Sequence, residues 1–223
     1  MPILTYQLLQ PGHKDFPQAE TLYTEAFPSC ERRDLGKWRM LAANALAPFT
    51  IWGLYAEAQF VGFITLWQFD GFIYVEHFAI LATQRGGGCG RQTMRLLREA
   101  HPSIPIVLEV EPPTDETTQR RIAFYERCGF SLSPLPYLQP PYRPTDQTFP
   151  LRLMTTAPDY LAAHSEQVVQ TIHRHVYGCK CPRPFPFFFG TKPATRGRRS
   201  RDPRARVAGN LLGRNGFRAG TFH

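Results

Sequence analysis

Four glycines, at positions 86, 87, 88 and 90, stand between an apolar run ending at Leu81 and a helical pattern that begins at Arg91. A helix start leaves backbone N–H groups unpaired and carries the positive end of the helix dipole. Glycine lets an anion approach that backbone closely. Arg85 and Arg91 flank the turn and can add charge-assisted bonds to a phosphate. The stretch Arg85, Gly86, Gly87, Gly88, Cys89, Gly90, Arg91 therefore reads as a phosphate-binding turn. Its spacing excludes two common phosphate loops. A mononucleotide loop ends in Gly-Lys-Ser/Thr, and the required lysine is missing. The dinucleotide fingerprint needs a third glycine where Arg91 or Thr93 stands. The spacing that fits is Arg-x-x-Gly-x-Gly, as Arg85, Gly88 and Gly90.

Two further stretches add to the turn. The run before it reads YVEHFAI, Tyr74 to Ile80, and a later helical stretch reads AFYERCGF, Ala123 to Phe130. With these motifs the sequence resembles the GNAT superfamily of N-acetyltransferases over roughly Ile3 to Thr155. The resemblance implies that the glycine turn holds the pyrophosphate of acetyl-CoA, the cosubstrate. It also implies that the strand before the turn splays from its neighbour, so that the backbone at Phe78, Ile80 and Leu81 meets the pantetheine arm. A tyrosine on the later helix, here Tyr125, is expected to face the thioester sulfur. Two departures stand out. Arg120, beside Gln119, replaces a frequent asparagine, and Gly87 replaces a frequent basic residue.

Acetyl transfer needs a neutral amine, a polarised thioester and a protonated leaving thiolate. An alkyl ammonium with a pKa near 10.4 must lose a proton first, and a carboxylate can take it. Glu76 is the first candidate. It is expected to alternate with Tyr74, Phe78 and Ile80 on one face of a buried strand, where a carboxylate is costly without a task or a partner. The plainer reading is an ion pair with a neighbouring Arg or His such as His77. Glu109 and Glu111, on one face of the next strand, are second candidates, as bases or as amine-binding charges. Tyr125 is the candidate acid, or else a core aromatic. The thioester carbonyl is expected to meet backbone N–H groups near Ile80. Tyr137, Gln139 and Tyr142, in the loop YLQPPYR, either contact the acceptor or belong to a stiff connection.

The elements that must position these residues follow from periodicity and breakers. Strands are expected at Ile3–Leu9, Thr50–Tyr55, Phe60–Phe69, Phe72–Leu81, Ile104–Val110, Phe130–Leu132 and Phe149–Met154. Helices are expected at Phe16–Phe27, Leu35–Leu46, Arg91–Ala100, from a cap at Thr114 or Asp115 to Cys128, and at Asp159–Tyr177. Gly129 stops the fourth helix as an αL residue. The order predicts an α/β (α+β) fold, the acyl-CoA N-acyltransferase fold of the resembling family. A mixed central sheet of about seven strands is flanked by helices, with one parallel crossover.

Composition bounds the rest. The net charge is +8, but residues 1–178 balance to −2 while residues 179–223 carry +10. The expected organisation is an acetyltransferase domain over 1–157, an amphipathic helix packed on it over 158–178, and a basic, disordered tail over 179–223. The tail reads either as a nucleic-acid-binding extension or as a segment outside selection, such as an out-of-frame read of a GC-rich gene. The second reading is preferred, so nucleic acid is not an expected partner except through the tail. Five cysteines at scattered spacing argue against a disulfide framework and for a cytoplasmic home. His173, His175, Cys179 and Cys181 match no usual zinc spacing, so no metal is expected. No apolar run is long enough to span a bilayer. The expected function is acetyl transfer from acetyl-CoA to a primary amine, on a small molecule or peptide, by direct attack. The alternatives are a non-catalytic acyl-CoA-binding module on the same fold, or a basic-tailed nucleic-acid-binding protein. A homodimer is left open.

Overall fold

A computed structural model describes residues 4–179. The expectations for residues 180–223, the basic tail and Cys181 among them, lie outside the described residues. The chain opens with strand β1 (Leu4–Leu9), helix α1 (Phe16–Ala26), a 3₁₀ turn (Ser29–Glu31) and helix α2 (Leu35–Ala43). Three antiparallel strands follow, β2 (Phe49–Ala56), β3 (Gln59–Phe69) and β4 (Phe72–Ile80). Helix α3 (Cys89–Ala100) crosses to β5 (Ile106–Val110), which runs parallel to β4. Helix α4 (Glu116–Arg127), strands β6 (Ser131–Leu132), β7 (Tyr137–Gln139) and β8 (Phe149–Thr155), and helix α5 (Pro158–His175) complete it. The sheet order is β1-β2-β3-β4-β5-β8-β6, with β7 paired to β8, giving eight strands. The extra strand is β7, expected as loop because prolines surround it.

Local chemistry explains the boundaries. Asp115 caps α4, its carboxylate accepting from the Thr118 amide while the Thr118 hydroxyl accepts from the Asp115 amide. Gly129 ends that helix at φ +84°, and Arg98 from α3 donates to the Cys128 carbonyl at 2.9 Å. Helix α3 begins two residues earlier than periodicity suggested, inside the glycine cluster, because a first-turn glycine costs little where no side chain need pack. The β2–β3 hairpin turns through Glu57 and Ala58, both at positive φ.

The two faces of the sheet carry different cores. On one, α3 and α4 bury Met94, Leu97 and Ile122 against Ile64, Ile73, Val75, Ile106 and Leu108. On the other, α1 and α2 bring Tyr23 and Trp38 together as a stacked pair at 4.8 Å, with Phe63 beneath and His77 edge-on to Tyr23. Helix α5 packs on the same sheet, with Tyr160 against Gly71 and His175 against Phe69. Burial of this many apolar side chains is the main stabilising term.

Candidate active site

Strands β4 and β5 pair only from Ile73↔Ile106 to Val75↔Leu108. Beyond that, β4 continues with β3 and β5 continues with β8, so the two strands part. The first residues past the last paired positions are Glu76 and Glu109. The fork is therefore lined at its apex by two carboxylates.

A β-bulge lies at the same place. Thr65 faces His77 and Leu66 faces Val75, leaving Glu76 as the extra residue of β4. This corrects the expected alternation. Glu76 and His77 both turn toward the α1–α2 side, whereas Phe78 and Ile80 face the α3–α4 side with Val75. Along the fork, Leu81 donates its N–H to the Val61 carbonyl of β3 at 2.9 Å. Backbone groups alternate in direction along a strand, so those of Phe78 and Ile80 point away from β3 and into the gap. The Phe78 backbone and the Ile80 N–H thus stand where an extended chain could pair with them, while the Ile80 carbonyl is engaged by Arg85. The Leu81 amide does not stand there, because β3 already holds it.

At the open end of the fork lies the glycine turn. Gly86 has φ +81° and Gly88, the N-cap of α3, has φ +85° in the left-handed region. No side chain caps this helix. The amides from Gly86 to Arg91 make no hydrogen bond among the described residues. A Cβ at Gly86 would meet nothing within 4 Å, and one at Gly87 would meet only the Gln84 carbonyl, at 3.8 Å. The result is an open concavity of N–H donors at a helix N-terminus, suited to a diphosphate. Cys89 is buried beneath it, and Gly90 gives room to the Phe124 ring, 3.3 Å from where a Cβ would sit. Arg85 turns its Nε to the Ile80 carbonyl at 3.0 Å, pinning the turn to the strand, and Arg91 flanks the donors as an exposed side chain.

Tyr125 stands on α4, half-buried among Phe124 and Phe130, with no hydrogen-bond partner for its hydroxyl among the described residues. Burial pushes its phenol up to about 12, so it keeps its proton throughout the neutral range.

The two carboxylates differ sharply. The Glu76 side chain is wholly covered. Its Oε1 accepts from Arg33 Nη2 at 2.7 Å and from the Tyr142 hydroxyl at 2.8 Å, and its Oε2 accepts from Trp67 Nε1 at 2.7 Å. Burial alone would raise this carboxyl. The Arg33 guanidinium, the nearby His77 and the bonds from Trp67 and Tyr142 outweigh it and hold the carboxyl below the ordinary value. Arg33 is itself held between the Trp67 and Tyr142 rings, 5.2 Å from each centroid. Glu109 has no cation beside it among the described residues. Its Oε2 accepts from the Tyr177 hydroxyl at 2.8 Å and its Oε1 from the Tyr137 hydroxyl. Burial pushes it up to about 7, the tyrosine bonds offsetting only part of that.

The remaining candidates fall into this frame. Glu111 lies past the end of β5 and pairs with Arg121 of α4, away from Glu109. Burial, then the Glu111 charge, raises the carboxyl of Glu31 on the facing 3₁₀ turn. Tyr137 and Gln139 are buried, whereas Tyr142 also lines a cavity. All three reach inward, Tyr137 to Glu109, Tyr142 to Glu76 and Gln139 Nε2 to the Tyr177 hydroxyl at 2.8 Å. Sequence reasoning missed Arg33 and Tyr177, which complete the network, and no local pattern signals either. A cavity of about 220 Å³ lies outside them, lined by Arg33, Lys37, Trp67, Tyr142, His175 and Tyr177 among others. His173 is buried against Tyr137 while His175 is exposed, so the two histidines share no site.

A mixed sheet forked beside a parallel crossover, with an uncapped glycine turn at the mouth of the fork, defines the acyl-CoA N-acyltransferase fold. The family model described as "Acetyltransferase (GNAT) domain" matches residues 47–132, from β2 to β6. A solved protein from Bacteroides thetaiotaomicron, titled "Putative acetyltransferase from GNAT family", is 37% identical with a TM-score of 0.75. The match covers 79% of this chain and 99% of that one. The chain belongs to the GNAT superfamily. A curated relative, "Putative acetyltransferase YjbC" of Bacillus subtilis, is 37% identical over 65 residues. That match takes in 28% of this chain, which spans about a third (33%) of the relative's length. The ribosomal-protein-S18-alanine N-acetyltransferase of Escherichia coli shares the fold, at a TM-score of 0.51, 16% identity and coverage of 69% and 92%. Among the described residues no helix is long and apolar enough to cross a membrane.

Proposed function

We propose that this protein transfers an acetyl group from acetyl-CoA to a primary amine by direct attack on the thioester. The observation that carries the reading is the strand fork at Glu76 and Glu109 opening onto the six amides of Gly86 to Arg91, which have no hydrogen-bond partner among the described residues. Those amides, with the helix dipole behind them, are suited to the diphosphate. The inward-facing Phe78 backbone and Ile80 N–H are suited to pair with an extended pantetheine arm. Bound acetyl-CoA supplies an activated acyl group. The chain's own residues orient it, and an N–H near Ile80 stabilises the charge developing on the carbonyl oxygen. Tyr125, protonated at neutral pH, gives its proton to the departing thiolate. A carboxylate at the apex takes the proton of the amine.

One feature favours a second reading, a module that binds acyl-CoA without turning it over. The α1–α2 side of the apex is filled by Arg33, Tyr142 and Tyr177. A thermal-shift titration with acetyl-CoA, followed by a panel of small and peptide amines with thiol release as readout, separates the two. Stabilisation plus amine-dependent thiol release supports transfer. Stabilisation with no release from any amine supports the binding module, and absence of stabilisation sinks both.

A further inference from the structure

The two carboxylates at the fork invite one reassignment, which rests on the acetyl-transfer reading. Glu76 is the more obvious base, being centred on β4. Three donors, one of them a guanidinium, already use it, however, and its side chain is fully covered. A carboxylate held that firmly in its ionised form is a poor proton acceptor. Glu109 sits across the parted strands, is half-buried as a residue just as Glu76 is, and differs in receiving only neutral phenol donors among the described residues.

We propose that Glu109 is the residue that accepts the proton of the acceptor amine, and that Tyr177, carried to it by the end of α5, is its positioning residue. Glu76 then has a different task. It neutralises Arg33, and its fixed negative charge stands near Glu109 and disfavours a second ionised carboxylate there. One arginine pairs with Glu76 and leaves Glu109 without a cation, splitting the two carboxylates into a permanently charged member and a titrating one. Groups facing Glu109 come from three elements: Tyr74 and Glu76 from β4, Tyr137 from β7, and Tyr177 after α5. The chain beyond α5 is tied down from both sides, since Arg33 Nη1 donates to the Val176 carbonyl at 2.8 Å and Gln139 to the Tyr177 hydroxyl.

The step balances. The ammonium proton passes to the Glu109 carboxylate and the freed lone pair attacks the thioester carbon. The C–N bond forms, the nitrogen gives up its second proton to water, and the C–S bond breaks. The thiolate takes the Tyr125 proton, and solvent returns one to Tyr125 as Glu109 releases its own.

The test is the pH dependence of kcat/KM with an accepted amine, for the wild type, Glu109→Gln and Tyr177→Phe, with acetyl-CoA affinity measured for each. The expected wild-type profile rises through a limb near pH 7. Glu109→Gln is expected to lose about 10²-fold or more and to lack that limb, with acetyl-CoA affinity unchanged. Tyr177→Phe removes a donor to the ionised form, so its limb is expected at higher pH. Full activity of Glu109→Gln with the limb intact would overturn the proposal, as would a Tyr177→Phe limb that does not move. Should the wild type not bind acetyl-CoA at all, the transfer reading fails on its own. A ¹³C NMR titration of labelled glutamates, with Glu109 assigned by difference, then still decides. Titration near pH 7 supports the poised carboxylate and titration below pH 5 overturns it.

Discussion

Replacing Arg33 with methionine isolates the electrostatics of the apex. Methionine keeps much of the apolar stem between Trp67 and Tyr142 while removing the guanidinium. Arg33 is 10% exposed and the Glu76 side chain 0%, so the pair is buried on both sides. Removing one partner of such a pair leaves an uncompensated charge and costs about 3–5 kcal/mol. That is a large part of the 5–15 kcal/mol that typically holds a domain together. In the wild type the Glu76 carboxyl lies below its ordinary value, so its stabilising contribution is complete above the unfolded-state pKa of 4.5 and fades as pH falls through the folded one. Without Arg33, burial dominates and the carboxyl rises above 4.5. Stability then falls as pH climbs from 4.5, and levels off once the folded-state carboxyl has ionised. Urea unfolding at pH 5 and pH 8 reads this directly. Arg33→Met should be destabilised at both and clearly more at pH 8, and the double variant Arg33→Met/Glu76→Gln should recover most of the loss at pH 8. A loss under about 1 kcal/mol, equal at both pH values, would refute the reasoning and make the pair an ordinary surface contact.

Three further outcomes follow. Gly88→Ala places a side chain at φ +85°, so stability should fall by about 1–2 kcal/mol and acetyl-CoA affinity should drop, both visible in a thermal-shift titration. Tyr125→Phe should cut kcat about tenfold while acetyl-CoA affinity, measured by calorimetry, stays put. The β2–β3 turn holds Glu57 and Ala58 at φ 51° and 64°, a pairing that suits Asn-Gly. Glu57→Asn with Ala58→Gly should therefore raise stability by about 1 kcal/mol, read as a higher urea midpoint.

The parts of this site that depend on local chemistry were legible in the sequence. The glycine cluster ahead of a helix, a cap at Thr114 or Asp115 and Gly129 as a stop each obey a backbone rule spanning a few residues. The β4 run announced its own burial through apolar residues on both faces. What escaped depends on distance along the chain. Arg33 meets Glu76 from 43 residues away and Tyr177 meets Glu109 from 68, and no periodicity carries such information. The bulge at Glu76 was invisible for another reason. One inserted residue breaks a period of two without changing composition, so Glu76 was expected on the face that Phe78 and Ile80 occupy. Tyr137 and Gln139 looked like loop residues because prolines surround them, yet β7 forms by pairing with β8, and its alternation sends both side chains inward.

The most direct test of the central claim is a ¹H–¹⁵N NMR titration of the protein with acetyl-CoA. The account predicts saturable shifts concentrated on the amides of Gly86 to Arg91, extending to Phe78 and Ile80 along the parted strand. Saturable binding that leaves those amides unmoved, or shifts confined to another surface, would contradict it.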